Sequence, residues 1–320
     1  TGYGDPPEDF STSNDGDQGV RVFNADDDTM PDIVQSYAVI NSGVTTYTKK
    51  IYLNQNKPHD ILKSITTPEG GSTKVYYKNA ASYRNGSVLL NPSLPYNLYT
   101  ANHLVTNDAV CTRSTTTYSY AGGYVYFNTS YDRKFAGFGQ VDVTDGVGNV
   151  TKTFFHQGNA TATSTGEYID HIAKAGRPYR VEVYDASNNL YSKTINKWEH
   201  FDQGNGRNFL RLAQTIAFAY DGDADHKDAA QTFSHSTTTG NLTQRVELGE
   251  VTGSDDGTYA DTGTDKFTTD ISYAASSTLP YFTKPATETT LNQSTVKVKE
   301  TRHYYDLMAL ESIGKGNETK

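Results

Sequence analysis

The sequence predicts an all-β chain made of successive strand-turn-strand units that pair into a curved sheet. Period-two alternation recurs, as in Gln140-Val141-Asp142-Val143-Thr144, where apolar and polar side chains fall on opposite faces. Runs of Gly and Asx residues punctuate these stretches. Asp145-Gly146-Val147-Gly148-Asn149 is one, and Asp185-Ala186-Ser187-Asn188-Asn189 repeats the same grammar further along. Both suit positive φ and chain reversal. The composition agrees, since 24 tyrosines stand against one Trp and two Met. Tyr and Thr fit half-buried pleated surfaces better than helices.

The elements follow in order. Residues 1–19, rich in Gly, Asp, Ser and Pro, read as linker or loop. Residues 20–60 form a compact unit: a strand over 20–23, an acidic loop, a strand over 33–39, a turn at Gly43 and a strand over 46–53. Residues 61–320 carry the hairpin repeats. The first hairpin spans 62–77 around Pro68-Glu69-Gly70-Gly71. Segment 80–108 is broken by Asn91-Pro92 and Leu94-Pro95 and reads as a surface excursion. Two strands about Gly122-Gly123 are expected over 112–127. Val150-Thr151-Lys152-Thr153-Phe154-Phe155 answers the strand at 140–144, and 190–198 answers 180–184. Further strands are expected over 211–220, over 240–251 with Val246 and Leu248 on one face, over 267–273 and over 296–305. Segment 253–265 reads as a polar loop, and 168–175 offers one short helical turn.

Bulk properties narrow the function. A length of 320 residues suggests about two domains. Charged residues are 20% of the chain and the mean hydropathy is −0.65. A net charge of −9 without a basic run argues against a nucleic-acid surface. The single cysteine, Cys111, excludes an internal disulfide framework or a cysteine metal cluster and reads as a small buried hydrophobe. No apolar run approaches the ~20 residues of a membrane helix, so no membrane span is expected. The chain begins at Thr1 without Met and stops at Lys320 within its pattern, as a piece of a longer protein would.

One stretch has metal-ligand spacing. Asn24, Asp26, Asp28 and Asp32 occupy positions 1, 3, 5 and 9 of an acidic loop, with the Met30 carbonyl at position 7. Calcium takes six to eight hard oxygens from such a loop. Asp27 and Thr29 stand where these loops usually place glycine, and the competing reading is an acidic hairpin end that binds nothing firmly. A second acidic run, 221–228, contains Lys227 and reads as an Asx-rich turn.

Several phrases together resemble one family, the RHS/YD-repeat proteins, in particular the shell-forming B-component of Tc-type toxin complexes and SpvB/TcdB-like secreted proteins. The acidic loop with Pro31-Asp32-Ile33-Val34 resembles an FG-GAP (VCBS-like) β-propeller blade. The run from Tyr131 to Gly139 resembles the family's linking segment, and Phe155-His156-Gln157-Gly158 its continuation. Gly240-Asn241-Leu242-Thr243, Tyr304-Tyr305-Asp306 and the run from Lys315 to Lys320 resemble starts of YD repeats, although Leu307 follows Asp306 where glycine is common. The resemblance covers 20–320 in order. It implies a propeller blade fragment followed by RHS-type repeats in a hollow β-shell, secreted or at the cell surface. Such a shell encloses a C-terminal toxin or effector domain of its own longer chain. Further partners implied are a toxin-complex pore subunit or copies of itself.

An enzyme is not expected. There is no nucleophile elbow, HExxH helix, phosphate loop or dinucleotide fingerprint. His156 and His171 lie near carboxylates in sequence without helical spacing, and read as hydrogen-bonded structural residues. The alternatives are an extracellular β-rich filament, which open strand edges favour, and a surface adhesion or carbohydrate-binding module. In the latter Tyr118, Tyr120, Tyr124 and Tyr126 would stack on sugars rather than brace the sheet.

Overall fold

A computed structural model describes residues 11–12, 16–23, 25–26, 30–54, 61–95, 97–110, 113–159, 165–167, 170–276 and 283–319. The chain divides into two compact units, Thr1–Tyr124 with Val143–Gly146 and Val125–Asp142 with Val147–Lys320. Among the described residues there is no α-helix; two single 3-10 turns occur, at Ala80–Ser82 and Ile172–Lys174.

The first unit opens with a three-stranded antiparallel sheet of β1 (Val20–Phe23), β2 (Asp32–Asn41) and β3 (Val44–Tyr52) in the order β1-β2-β3. Ser42 and Gly43 close the β2–β3 hairpin with φ of 52° and 82°, the two-residue geometry that matches strand twist. A second set pairs in the order β4-β5-β6-β7: β4 (Ser64–Thr66), β5 (Ser72–Asn79), β6 (Tyr99–Asn107) and β7 (Arg113–Thr129), the last of which runs past the division between the units.

Two expectations are corrected here. Segment 80–108 is not simply a surface excursion, because its second half is β6, hydrogen-bonded to β5 and β7 and burying Thr100 and Val105. The prolines interrupt the chain only near 91–95, and there Asn91 substitutes for a strand partner. Its amide donates to the carbonyls of Ala80 and Tyr120 (2.8 Å each), and its oxygen accepts from Gly123 N (2.8 Å). Gly122-Gly123, in turn, does not reverse the chain. It lies inside the single strand β7, where a Cβ on Gly123 would stand 2.7 Å from Leu94 Cγ. The glycine makes room for a neighbour rather than a turn.

The second unit is a sequential antiparallel array: β8 (Asp132–Thr144, its last two residues counted with the first unit), β9 (Val150–Phe155), β10 (Pro178–Tyr184), β11 (Leu190–Asp202), β12 (Asn208–Ala219), β13 (Lys227–His235), β14 (Leu242–Gly253), β15 (Tyr259–Asp261), β16 (Phe267–Tyr273), β17 (Pro285–Leu291) and β18 (Lys297–Arg302). Each strand pairs with the next, except that β15 and β16 both pair with β14. Its core comprises Ile195, Ile216, Phe218, Ala230, Leu248 and Val251, with Val246 packed against it as the alternation requires. A second cluster joins Ala274, Ala286, Tyr305 and Ile313. Strands β13 and β17 escape a reading by hydrophobic alternation. In β13 the buried positions of the first half are Asp228 and Ala230, and β17 opens on a proline.

Truncation inside this thin core has few neighbours to absorb it. Ile216→Ala, at a fully buried position, is expected to lower unfolding free energy by about 2–5 kcal/mol in urea titrations. Val147→Ala, at a turn residue 75% exposed, should stay within about 0.5 kcal/mol.

Candidate functional site

The acidic loop places Asp32 at the start of β2, fully buried. One of its carboxylate oxygens accepts from Asn54 N (2.8 Å) and the other from Ala25 N (2.6 Å). Asp32 therefore ties the two flanks of the small sheet together. Asp26 is exposed and Met30 half-buried, whereas Asn24 and Asp28 lie outside the described residues. The acidic run near 221–228 is a turn, as expected. Asp221 and Gly222 take φ of 52° and 88°, and buried Asp228 accepts from Gly253 N (2.8 Å) beside His226.

A convergence that sequence reasoning did not nominate lies between β9 and β10. His156 directly follows β9. Its N–H donates to Arg177 O (3.0 Å) and its carbonyl accepts from Gly176 N (2.9 Å), so the chain leaves the ladder at 156 and rejoins it at 176–177. The excursion folds back onto its own start. Asp170 accepts from Gln157 N (2.9 Å) and Gly158 N (2.6 Å) on Oδ2, and from its neighbour His171 N (2.7 Å) on Oδ1. Gly158 permits this approach, since it takes φ 75° and a Cβ there would meet Ile172 Cα at 2.6 Å. Gly166, with φ 88°, presses on Ile195 Cγ2, 2.6 Å from where its Cβ would stand. That packing brings the adjoining Glu167 inward.

The result is a buried triad. One donor atom each from His156, Glu167 and Asp170 lies within 4.8 Å of the others. The His156 and Asp170 side chains are fully buried, and Glu167 is 9% exposed. His156 Nδ1 stands 3.2 Å from Asp170 Oδ1, but without the alignment a hydrogen bond needs, and neither ring nitrogen has a hydrogen-bond partner. The Tyr179 ring packs 5.1 Å from the imidazole. Burial, with the nearby Asp170 charge second, pushes the Glu167 carboxyl up to about 7. Burial pushes Asp170 up as well, but the adjacent His156 and the N–H groups of Gly158 and Gln157 outweigh it and hold that carboxyl below its usual range. Buried Lys174 has its ammonium pushed down, chiefly by burial. Chemically the triad can share a proton or hold a cation. Its 156, 167, 170 spacing matches no helical or strand period, so only the fold-back reveals it.

The excursion's middle is clamped from outside. Arg180 Nη1 donates to Thr165 O and to Asp255 O and Oδ1 (3.4 Å each), while Arg180 Nε donates to Glu182 (2.6 Å). Asp255 also receives Lys193, a buried ammonium 4.1 Å from the Phe218 ring centre that donates to Tyr220 Oη (2.8 Å). Elsewhere, a cavity of about 300 Å³ is lined by Lys197, Glu199, Arg211 and His235 among others. Its Arg211 is committed to His235 O (3.0 Å) and to the Phe201 ring face. Of the tyrosines considered as a sugar platform, Tyr120 packs edge-on against Tyr83 at 5.5 Å, and all four are half-buried.

Residues 8–165 match the family model of the insecticide toxin TcdB middle/N-terminal region. No curated protein matches the chain. The fold is similar to the crystal structure of TcdB2-TccC3 without its hypervariable C-terminal region, with a TM-score of 0.62 at 13% identity over 96% of this chain. The chain spans 22% of the length of that structure. In sequence over its first half, and in fold throughout, it is similar to a Tc toxin B-component.

Asp255 gives the clamp a pH signature. Its hydrogen bond from Lys193 leads the interactions that depress its carboxyl. A carboxyl depressed on folding contributes stability above its unfolded pKa of about 3.9, and loses it as pH falls through the lower folded value. Asp255→Asn should therefore cost no more than about 1 kcal/mol at pH 7, because the carboxylate is largely exposed and its pairs are screened by solvent. The gap to the parent chain should narrow as pH falls below the unfolded value and close once it has passed through the lowered folded one, in chemical denaturation followed across pH.

Proposed function

We propose that this chain is a structural, non-catalytic section of a secreted toxin-complex B-component. In this reading it forms part of the wall of a β-shell that encloses a C-terminal effector of its own longer chain. What carries the reading is the agreement of two independent likenesses. One is the TcdB-type sequence of residues 8–165, and the other is a shared fold over 96% of the chain. The sequential hairpin array suits such a wall, because each strand needs only its sequence neighbours and the sheet can extend by adding hairpins.

The finer assignments belong to the same proposal. Residues 20–60 supply part of a propeller blade; three of the four strands a blade requires are present as β1-β2-β3. The Tyr-Asp phrase acts as a repeat junction. Tyr305 fills the second core cluster and donates to Pro285 O (2.8 Å). Asp306 accepts from Gly314 N, Gly316 N and Asn317 N, drawing in the next repeat start. Asn24, Asp26, Asp28, the Met30 carbonyl and Asp32 hold a structural Ca²⁺ in which Asp32 shares its oxygens with two backbone amides.

Electron microscopy of the purified parent protein should show closed hollow particles. Long fibres, or glycan binding lost on Tyr118→Ala and Tyr120→Ala, would replace the shell with the filament or the adhesin. Calcium added to the chelator-treated chain should release heat and raise the melting temperature, and both effects should weaken in Asp26→Asn. Absence of heat and of any shift in the parent chain would remove the calcium assignment and leave the shell untouched.

A further inference from the structure

We infer that His156, Glu167 and Asp170 bind one divalent transition-metal ion of zinc type, which locks the 156–177 excursion onto the end of β9. The inference rests on the triad's geometry and does not depend on the shell reading.

The first support is distance. Two ligands on a tetrahedral ion with bonds of about 2.0–2.1 Å stand about 3.4 Å apart. His156 Nδ1 and Asp170 Oδ1 are 3.2 Å apart, at the separation of atoms sharing an ion yet off the line of a hydrogen bond. Glu167 completes the set within the same 4.8 Å span. The second support is an unmet requirement. Both ring nitrogens of a fully buried imidazole need partners, because a buried polar nitrogen without one forfeits the hydrogen bond it would make in water. In His156 neither nitrogen makes an aligned hydrogen bond: Nε2 has no partner, and Nδ1 meets only the Asp170 oxygen at 3.2 Å. An ion at the centre of the triad would engage the nitrogen that faces Asp170.

Charge and donor type point the same way. Two carboxylates and an imidazole match a dication, in a place where carboxylate charge is costly to bury without a compensating cation. One imidazole with only two carboxylates is a poor match for calcium, which seeks six to eight oxygens. Imidazole and carboxylate oxygen together suit zinc. The support around the ligands is also built. Asp170 is oriented by the backbone N–H groups of Gln157, Gly158 and His171, and Glu167 is set by Gly166 against Ile195. Metal ligands are commonly fixed by outer partners of this kind. The ion's effect would be mechanical, closing the excursion into a loop bound at both ends.

The test is calorimetry with zinc chloride on the purified, chelator-treated chain, together with its melting curve. The expected result is one equivalent bound, with a melting temperature that rises with zinc concentration. Glu167→Gln, which preserves size and shape, should weaken binding at least tenfold while circular dichroism without metal stays unchanged. Asp170→Asn should do the same; if its altered charge prevents folding, Glu167→Gln decides alone. The stacked pair His171 and His200, with ring centres 3.9 Å apart, is the nearest competing imidazole site. His200→Ala should leave affinity unchanged. Zinc binding that survives Glu167→Gln but disappears in His200→Ala would overturn the assignment, as would no heat and no melting shift in the parent chain.

Discussion

The second unit depends on antiparallel pairing between sequence neighbours. From β8 to β14 each strand hydrogen-bonds to the next, so the backbone is satisfied locally and no long-range crossover is needed. Register then fixes everything else. Ile195 stands opposite Ile216, and Ile216 opposite Ala230. A slip of one residue in any hairpin would turn those side chains to the other face and dissolve the core. Register shifts at Lys197/Trp198 and Ala230/Gln231 show where the ladder absorbs an extra residue. Such bulges locally increase strand twist, which an unbulged flat ladder would lack.

A sheet with so thin a core cannot bury apolar residues alone, and its charged positions are accordingly partnered. Lys193 is 4% exposed, yet it lies against the Phe218 ring and donates to Tyr220 while pairing with Asp255. Arg211 does the same with Phe201 and the His235 carbonyl. Aromatic faces and carbonyls replace aliphatic neighbours, which is why tyrosine is abundant while the apolar fraction is only 35%. The same compromise explains small residues in the core. Gly253 packs where a Cβ would stand 2.7 Å from Phe218 Cε1.

Strand pairs with a Gly or Asx turn were legible in the sequence: β2–β3, β4–β5, β8–β9 and β10–β11 lie where alternation and turn chemistry put them. What stayed hidden had a physical cause each time. β13 buries Asp228, whose carboxylate is satisfied by Gly253 N, so its inward face does not look apolar. β6 follows two prolines that dominate any local reading, although neither lies within the strand. Gly122-Gly123 has the composition of a turn, but the requirement there is space for Leu94. The site was least visible of all. His156 read as an ordinary structural histidine because its partners come from a fold-back stabilised by Asp170 and backbone amides, an arrangement with no sequence period.

That fold-back bears on the architecture as a whole. Tight turns join β8 to β9 and β10 to β11, but the β9–β10 connection runs from 156 to 177 and carries no strand pairing among its described residues between His156 and Gly176. A connection of that length has a closure cost that rises slowly with length, and its backbone amides must find partners other than a ladder. Asp170 meets part of that need by accepting three N–H groups, and Arg180 meets another part at Thr165. Each device places a charge close to the sheet, and the deepest of them sets two carboxylates beside a fully buried imidazole. The excursion is thus ordered by polar groups in a place where hydrophobic packing is scarce. The physical problem it then faces is charge compensation, and that is the problem a bound dication solves.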